Sequence, residues 1–194
     1  MTHPILGLHH VTATVDDAQD DVDLSVKALG LRLVKKTVNF DNHHVYHFYY
    51  GDERGTPGTI WTTFPYKGRG VAAGREGAGQ ISTTSFSVPA GTLEFWRARL
   101  AAHSVATTDI QAPFGEAAIG FSDPSGLRFE LVANKQDRRT PWTGDVERDA
   151  AIRGLHSVTM IVRSRESTLD LMENLLGWHV IDENEQRTRV GVHG

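Results

Sequence analysis

The hydrophobic pattern switches between two periods along the chain. His10, Thr12 and Thr14 alternate with Val11, Ala13 and Val15, a period of two that predicts a strand with one polar face. Val22, Val26 and Leu29 then recur four and three apart, which predicts an amphipathic helix of about three turns. Asp16, Asp17, Asp20 and Asp21 crowd its start, where the positive end of the helix dipole favours acids, and Gly30 can take the left-handed position that ends it. Residues 31–38, 45–50 and 59–64 are rich in β-branched and aromatic side chains and are separated by polar or Gly-rich stretches, so three strands follow. The predicted order is β-α-β-β-β.

The same order returns after a Gly-rich connector at 68–79. Residues 81–88 read as a strand, and 92–102 as a helix with Leu93, Trp96 and Leu100 on one face. Residues 117–121 and 127–132 read as strands joined by the turn Asp123-Pro124-Ser125-Gly126. A polar stretch with Arg138-Arg139 and Pro141 reads as a linker. Then Gly7-Leu8-His9-His10-Val11-Thr12 recurs as Gly154-Leu155-His156-Ser157-Val158-Thr159, 147 positions later, and Leu29-Gly30 recurs as Leu176-Gly177 at the same offset. The reading is α+β, built of repeated βαβββ modules: a first at 1–67, a second at 80–134, a linker at 135–153 and the start of a third at 154–194, with its helix near 168–176.

Composition narrows the chemistry. The 194 residues carry 20 basic and 24 acidic side chains, a net charge of −4, and 39% are hydrophobic, which suits a folded core and argues against a nucleic-acid-binding arm. No apolar run approaches the ~20 residues that cross a bilayer, and Met1-Thr2-His3-Pro4 lacks the features of a signal peptide, so a cytoplasmic protein without a membrane partner is expected. The absence of Cys removes disulfides, thiolate metal sites and Cys nucleophiles, leaving His and carboxylates for any metal. The connector holds no P-loop, and no Gly-x-Ser-x-Gly elbow occurs.

His9-His10 is the strongest chemical signal. Neighbours on a strand point to opposite faces, so one imidazole can bind a metal while the other packs or approaches from elsewhere. His156 reads as structural, as do His43, His44 and His47, because a three-residue spacing on a strand separates faces. Glu130 on its strand reads as solvent-exposed or paired with Arg128.

Leu8-His9-His10-Val11-Thr12, Val34-Lys35-Lys36-Thr37, Tyr46-His47-Phe48-Tyr49, Gly55-Thr56-Pro57-Gly58-Thr59 and Thr62-Thr63-Phe64-Pro65 together resemble the hydroquinone-type ring-cleaving dioxygenases. These belong to the glyoxalase, bleomycin-resistance and extradiol-dioxygenase superfamily, also called vicinal oxygen chelate. The resemblance implies four βαβββ modules and Fe(II) held by two His and one Glu. The first of those His matches His10; the others come from the fourth module, before which this sequence ends. His9 and Thr12 match positions beside the bound aromatic ring, His9 as a proton relay and Thr12 as its orienting hydroxyl. The implied substrates are a hydroquinone-type aromatic and O2. Glu130 matches the superfamily's general carboxylate position, although in this group the second module supplies no iron ligand. Two other readings stand beside this one: a non-catalytic binding module or truncated protein, and a glyoxalase-like isomerase or thiol transferase using His10 and Glu130 across a dimer. Incomplete module pairing would leave open strand edges that favour a homo-oligomer.

Overall fold

The computed structural model describes residues 5–72, 74–111 and 114–192; the Met1-Thr2-His3-Pro4 start lies outside them. Strands β1 (His10–Val15), β2 (Arg32–Val38), β3 (Tyr46–Gly51) and β4 (Ile60–Pro65) form one sheet in the order β1-β4-β3-β2, with β1 parallel to β4 and the other pairs antiparallel. Strands β5 (Gln80–Pro89), β6 (Thr107–Gln111), β7 (Ala117–Ser122) and β8 (Arg128–Asn134) repeat that arrangement as β6-β7-β8-β5. The hydrophobic pattern did not single out β6, whose Thr-Thr-Asp-Ile-Gln is too polar to read as a strand and is fixed by pairing with β7. A further strand, β9 (Gly154–Ile161), adds antiparallel to the outer edge of β5, while β10 (His179–Glu183) and β11 (Thr188–Gly191) form a separate hairpin.

Helix α1 begins at Ala18–Val22, capped by the Asp17 carboxylate, which accepts from the Gln19 and Asp20 amides at 2.7 and 3.1 Å. It does not continue as the regular α-helix predicted: residues Asp23–Ala28 take the wider π turn, with Leu29 N–H bonded to Leu24 C=O at 2.9 Å. Helix α2 spans Leu93–Ala102, and its Arg99 donates to the Ala28 and Lys27 carbonyls that the π turn leaves at the end of α1. Helix α3 (Arg165–Asp170) repeats the pattern 147 positions on, with Ser164 as cap and a π turn at Leu171–Leu175.

Both helices of the first two modules lie in one core with the inward faces of their sheets. Leu24, Ala28 and Leu29 of α1 share it with Trp96 and Leu100 of α2, Tyr50 and Trp61 of the first sheet and Phe86 and Phe129 of the second. Trp61 meets Phe129 edge-on at 5.3 Å. The third module lacks this packing. Leu24 is 7% exposed and Ala28 1%, whereas their repeat equivalents Leu171 and Leu175 are 51% and 73% exposed. Among the described residues no helix is long and apolar enough to cross a membrane.

Two buried acids give the fold a pH dependence. Asp123 accepts from the Leu127 amide at 2.7 Å, yet burial outweighs such bonds and pushes its carboxyl up to about 6. Burial likewise raises Asp21, although the Thr63 and Tyr50 hydroxyls donate to it. An acid whose folded pKa exceeds its unfolded value takes up a proton on folding, so its contribution grows as pH falls from above 6 to about 4. His47 and His156, held neutral by burial, act the other way in the same window, so the Asp123 contribution is read as a difference: calorimetry should show the melting temperature of Asp123→Asn falling relative to that of the unaltered protein between pH 7 and 5. A difference that stays constant across that window would remove Asp123 as a source of the pH dependence.

Candidate active site

His9 lies just before β1, where its carbonyl accepts from the Gly58 amide at 2.7 Å, and so it does not obey the alternation that begins at His10. The two imidazoles therefore converge where strand geometry predicted divergence. Their Nδ1 atoms are 3.1 Å apart and their rings meet edge-on at 5.2 Å. One of the two Nδ1 atoms must carry the proton, so each ring constrains the tautomer of the other. With that proton on His10, its Nε2 keeps a free lone pair on an exposed ring.

Thr12 follows on the polar face of β1, with Oγ1 2.8 Å from Thr62 Oγ1. Strand register extends this pair into a row, Thr12 opposite Thr62, Thr62 opposite Tyr49 and Tyr49 opposite Lys35. The row lies on the face away from core-facing Val11, Trp61 and Tyr50. His47 shares this face: its Nδ1 is 3.0 Å from the Tyr49 hydroxyl and its ring stacks on Phe64 at 3.9 Å. Burial, with the charges of Lys35 and His10 behind it, lowers its pKa and favours the neutral ring. Among the described residues its buried Nε2 has no hydrogen-bond partner. Tyr49 and Thr62 were not among the residues expected at the site, and His47 was read as structural; strand register, which the aromatic and β-branched runs of β3 and β4 do not give, places them together. His43 and His44 instead lie on the exposed turn before β3, rings 4.2 Å apart.

The other candidates fall elsewhere. Glu130 lies on β8 in the second sheet, so the chain does not bring it to His10. Its carboxylate accepts from Ser85 directly across the strand pair at 2.7 Å, and not from Arg128, whose guanidinium reaches Glu76 in the connector. His156 hydrogen-bonds Ser157 at 2.9 Å through Nδ1 and Glu116 at 3.2 Å through Nε2, and Arg189 also grips Glu116. Among the described residues no three His, Asp or Glu side chains are grouped to hold a metal ion.

Arg139, read as part of a polar linker, anchors the histidine end of β1. It donates to the Gly58 carbonyl at 2.9 Å, the Leu155 carbonyl at 2.8 Å and the Asp137 carboxylate at 2.6 Å. Gly154 (φ +140°) allows this junction: a Cβ there would lie 2.8 Å from the Gly58 carbonyl oxygen and 2.7 Å from Arg139 Nη1.

No protein-family model matches the chain. It is 43% identical over 178 residues to MhqO of Bacillus subtilis (strain 168), named as a ring-cleaving dioxygenase, covering 91% of this chain and 56% of that protein. It is 40% identical over 196 residues to the chlorohydroquinone/hydroquinone 1,2-dioxygenase of Sphingobium indicum, covering 97% and 60%. A crystal structure of a Bacillus subtilis protein assigned as a dioxygenase superposes with a TM-score of 0.89 at 40% identity, over 97% of this chain and 60% of that one. A glyoxylase/bleomycin resistance protein/dioxygenase domain from Frankia sp. EAN1pec superposes with a TM-score of 0.55 at 21% identity, over 68% of this chain and 94% of that one, a likeness of fold. The chain thus spans 56 to 60% of the length of these two curated relatives.

Proposed function

From a chain that is related over nearly its whole length to ring-cleaving dioxygenases and has the α+β fold of the glyoxalase/bleomycin-resistance/extradiol-dioxygenase superfamily, we propose a part in an Fe(II)-dependent cleavage of hydroquinone-type rings by O2. The part is specific: His10 supplies one metal ligand, and the polar row beside it forms the floor on which the ring lies. The observation that carries the reading is the convergence of His9 and His10 at the edge of that row. An iron held by two imidazoles and a carboxylate keeps open positions for a substrate oxygen and O2 together.

The remaining ligands would come from another βαβββ module laid along β1. This is supported by the second sheet, where β5 holds the place of β1 and its outer edge is occupied by β9, while among the described residues no strand pairs with the outer edge of β1. The bare Leu171 and Leu175 face supports the same view, since its equivalent in the first module is covered by a neighbouring module.

The chain's own residues then have defined tasks. His10 directs Nε2 outward and donates its Nδ1 proton to His9. His9, accepting at Nδ1, carries its own proton on Nε2 and can present that N–H to a ring oxygen. Thr12, paired with Thr62, offers its hydroxyl to a ring oxygen. In an NMR titration with hydroquinone, amides of His9, Thr12 and Tyr49 should shift, and Thr12→Val should weaken binding by about fivefold, the value of one hydrogen bond of about 1 kcal/mol. Shifts confined to the second sheet would overturn this assignment of the ring to the first.

A further inference from the structure

The second sheet carries a polar row of its own, and it differs from the first at one position. Thr12 is opposite Thr62 on the first sheet; on the second, Ser85 is opposite Glu130, which is opposite Gly120, which is opposite Thr108. A carboxylate thus stands where the first sheet has a hydroxyl. The position that corresponds to His10 is Thr83 on β5, two residues before Ser85, and Ser157 on β9, opposite Ser85. At the position of His10 the second sheet therefore has hydroxyls, and its imidazole, His156 on β9, is hydrogen-bonded to Ser157 and Glu116 and not to Glu130.

Beside this row is a cavity of about 630 Å³, lined by Thr83, Thr108, Ile110, Gly120, Arg128 and Glu130 among others. That volume is in the range that encloses small organic ligands. Ser85, only 1% exposed, donates to one oxygen of Glu130 and so fixes the carboxylate while leaving acceptor capacity free. The neighbouring cation does not neutralise it: Arg128 is engaged by Glu76, and among the described residues Glu130 forms no ion pair. The absence of a side chain at Gly120 lets Ile110 lie over the sheet beside the carboxylate, so tightly that a Cβ on Gly120 would lie 2.4 Å from Ile110 Cδ1, and this gives the cavity an apolar wall.

We infer that this cavity binds a small organic ammonium ion, with Glu130 accepting its N–H donors and the apolar part of the ligand lying against Ile110. A half-buried, oriented carboxylate without a cation gains most from a charged donor that brings its own apolar surface. Thr83 and Thr108 supply further acceptors at the edge. The site is independent of the His10 face, which lies on the other sheet.

The probes are benzylamine, charged at pH 7, and its neutral counterpart benzyl alcohol, each titrated into the full chain and followed by amide shifts and calorimetry. Benzylamine should shift Thr83, Gly120 and Glu130 and bind about tenfold more tightly than benzyl alcohol, a charge-assisted bond being worth roughly 1.4 kcal/mol more. Glu130→Gln, which keeps an acceptor for Ser85, should abolish that preference. Glu76→Gln, on the exposed connector, should weaken benzylamine by releasing Arg128 toward Glu130, and His10→Ala should leave binding unchanged. Equal binding of amine and alcohol, no binding of the amine at millimolar concentration, or an undiminished preference for the amine in both Glu variants would each overturn the site.

Discussion

Arg139→Ala should destabilise the protein by about 2 kcal/mol in chemical denaturation, less than the loss of a fully buried ion pair because the Arg139 side chain is 37% exposed. The Asp137 side chain is 6% exposed. Burial opposes its ionisation, but the Arg139 guanidinium more than compensates and holds the carboxyl at about 2. Without the guanidinium that buried carboxylate keeps the amide of residue 139 as a donor but loses its counter-charge, and the Gly58 and Leu155 carbonyls lose their side-chain donor as well. Because the Gly58 amide binds the His9 carbonyl, the same substitution should loosen the histidine pair. Arg139→Lys should restore less than half of the loss, since a single ammonium cannot reproduce the fork. A destabilisation of under about 1 kcal/mol would mean that the junction is not held as described. The pair also sets an acid limit: a carboxyl lowered from about 4 to about 2 contributes stability that is complete above the unfolded pKa and is lost as pH falls toward 2.

His10→Ala should have the largest functional effect. Outer partners of metal ligands typically change affinity by 10–100-fold, and removing the ligand itself should exceed that. His9→Ala should fall within that smaller range, because it removes the acceptor for the His10 Nδ1 proton and leaves the ligand in place. A similar loss in both variants would point to a shared structural role for the pair, and no loss in either would exclude the pair from the site.

Much of the fold was legible in the chain itself. Alternation in β1, the β-branched and aromatic runs of β3 and β4, the acidic start of α1 and the 147-residue repeat are local or one-dimensional signals, and they lead to the observed βαβββ order. The repeat even carries backbone geometry, with φ of +140° at both Gly7 and Gly154. Features decided by tertiary contact were not legible. Strand β6 is polar and exists through its pairing with β7. The π turns depend on what receives the freed carbonyls, which at the first is Arg99 from a different module. His9 meets His10 because a loop amide fixes its carbonyl outside the strand, and Glu130 takes Ser85 because strand register places it directly across. Arg139 looked like linker charge because its three partners are spread over 98 positions of chain, from Gly58 to Leu155.

The most direct measurement is oxygen uptake with Fe(II) and hydroquinone, made on this chain alone and on its mixture with the separately produced part of the Sphingobium indicum enzyme that the chain does not match. Uptake should appear in the mixture, stay near background for either part alone, and vanish when the chain carries His10→Ala. Uptake by the mixture that survives His10→Ala, or a mixture as inert as its parts, would contradict the assignment of His10 as the ligand this chain contributes.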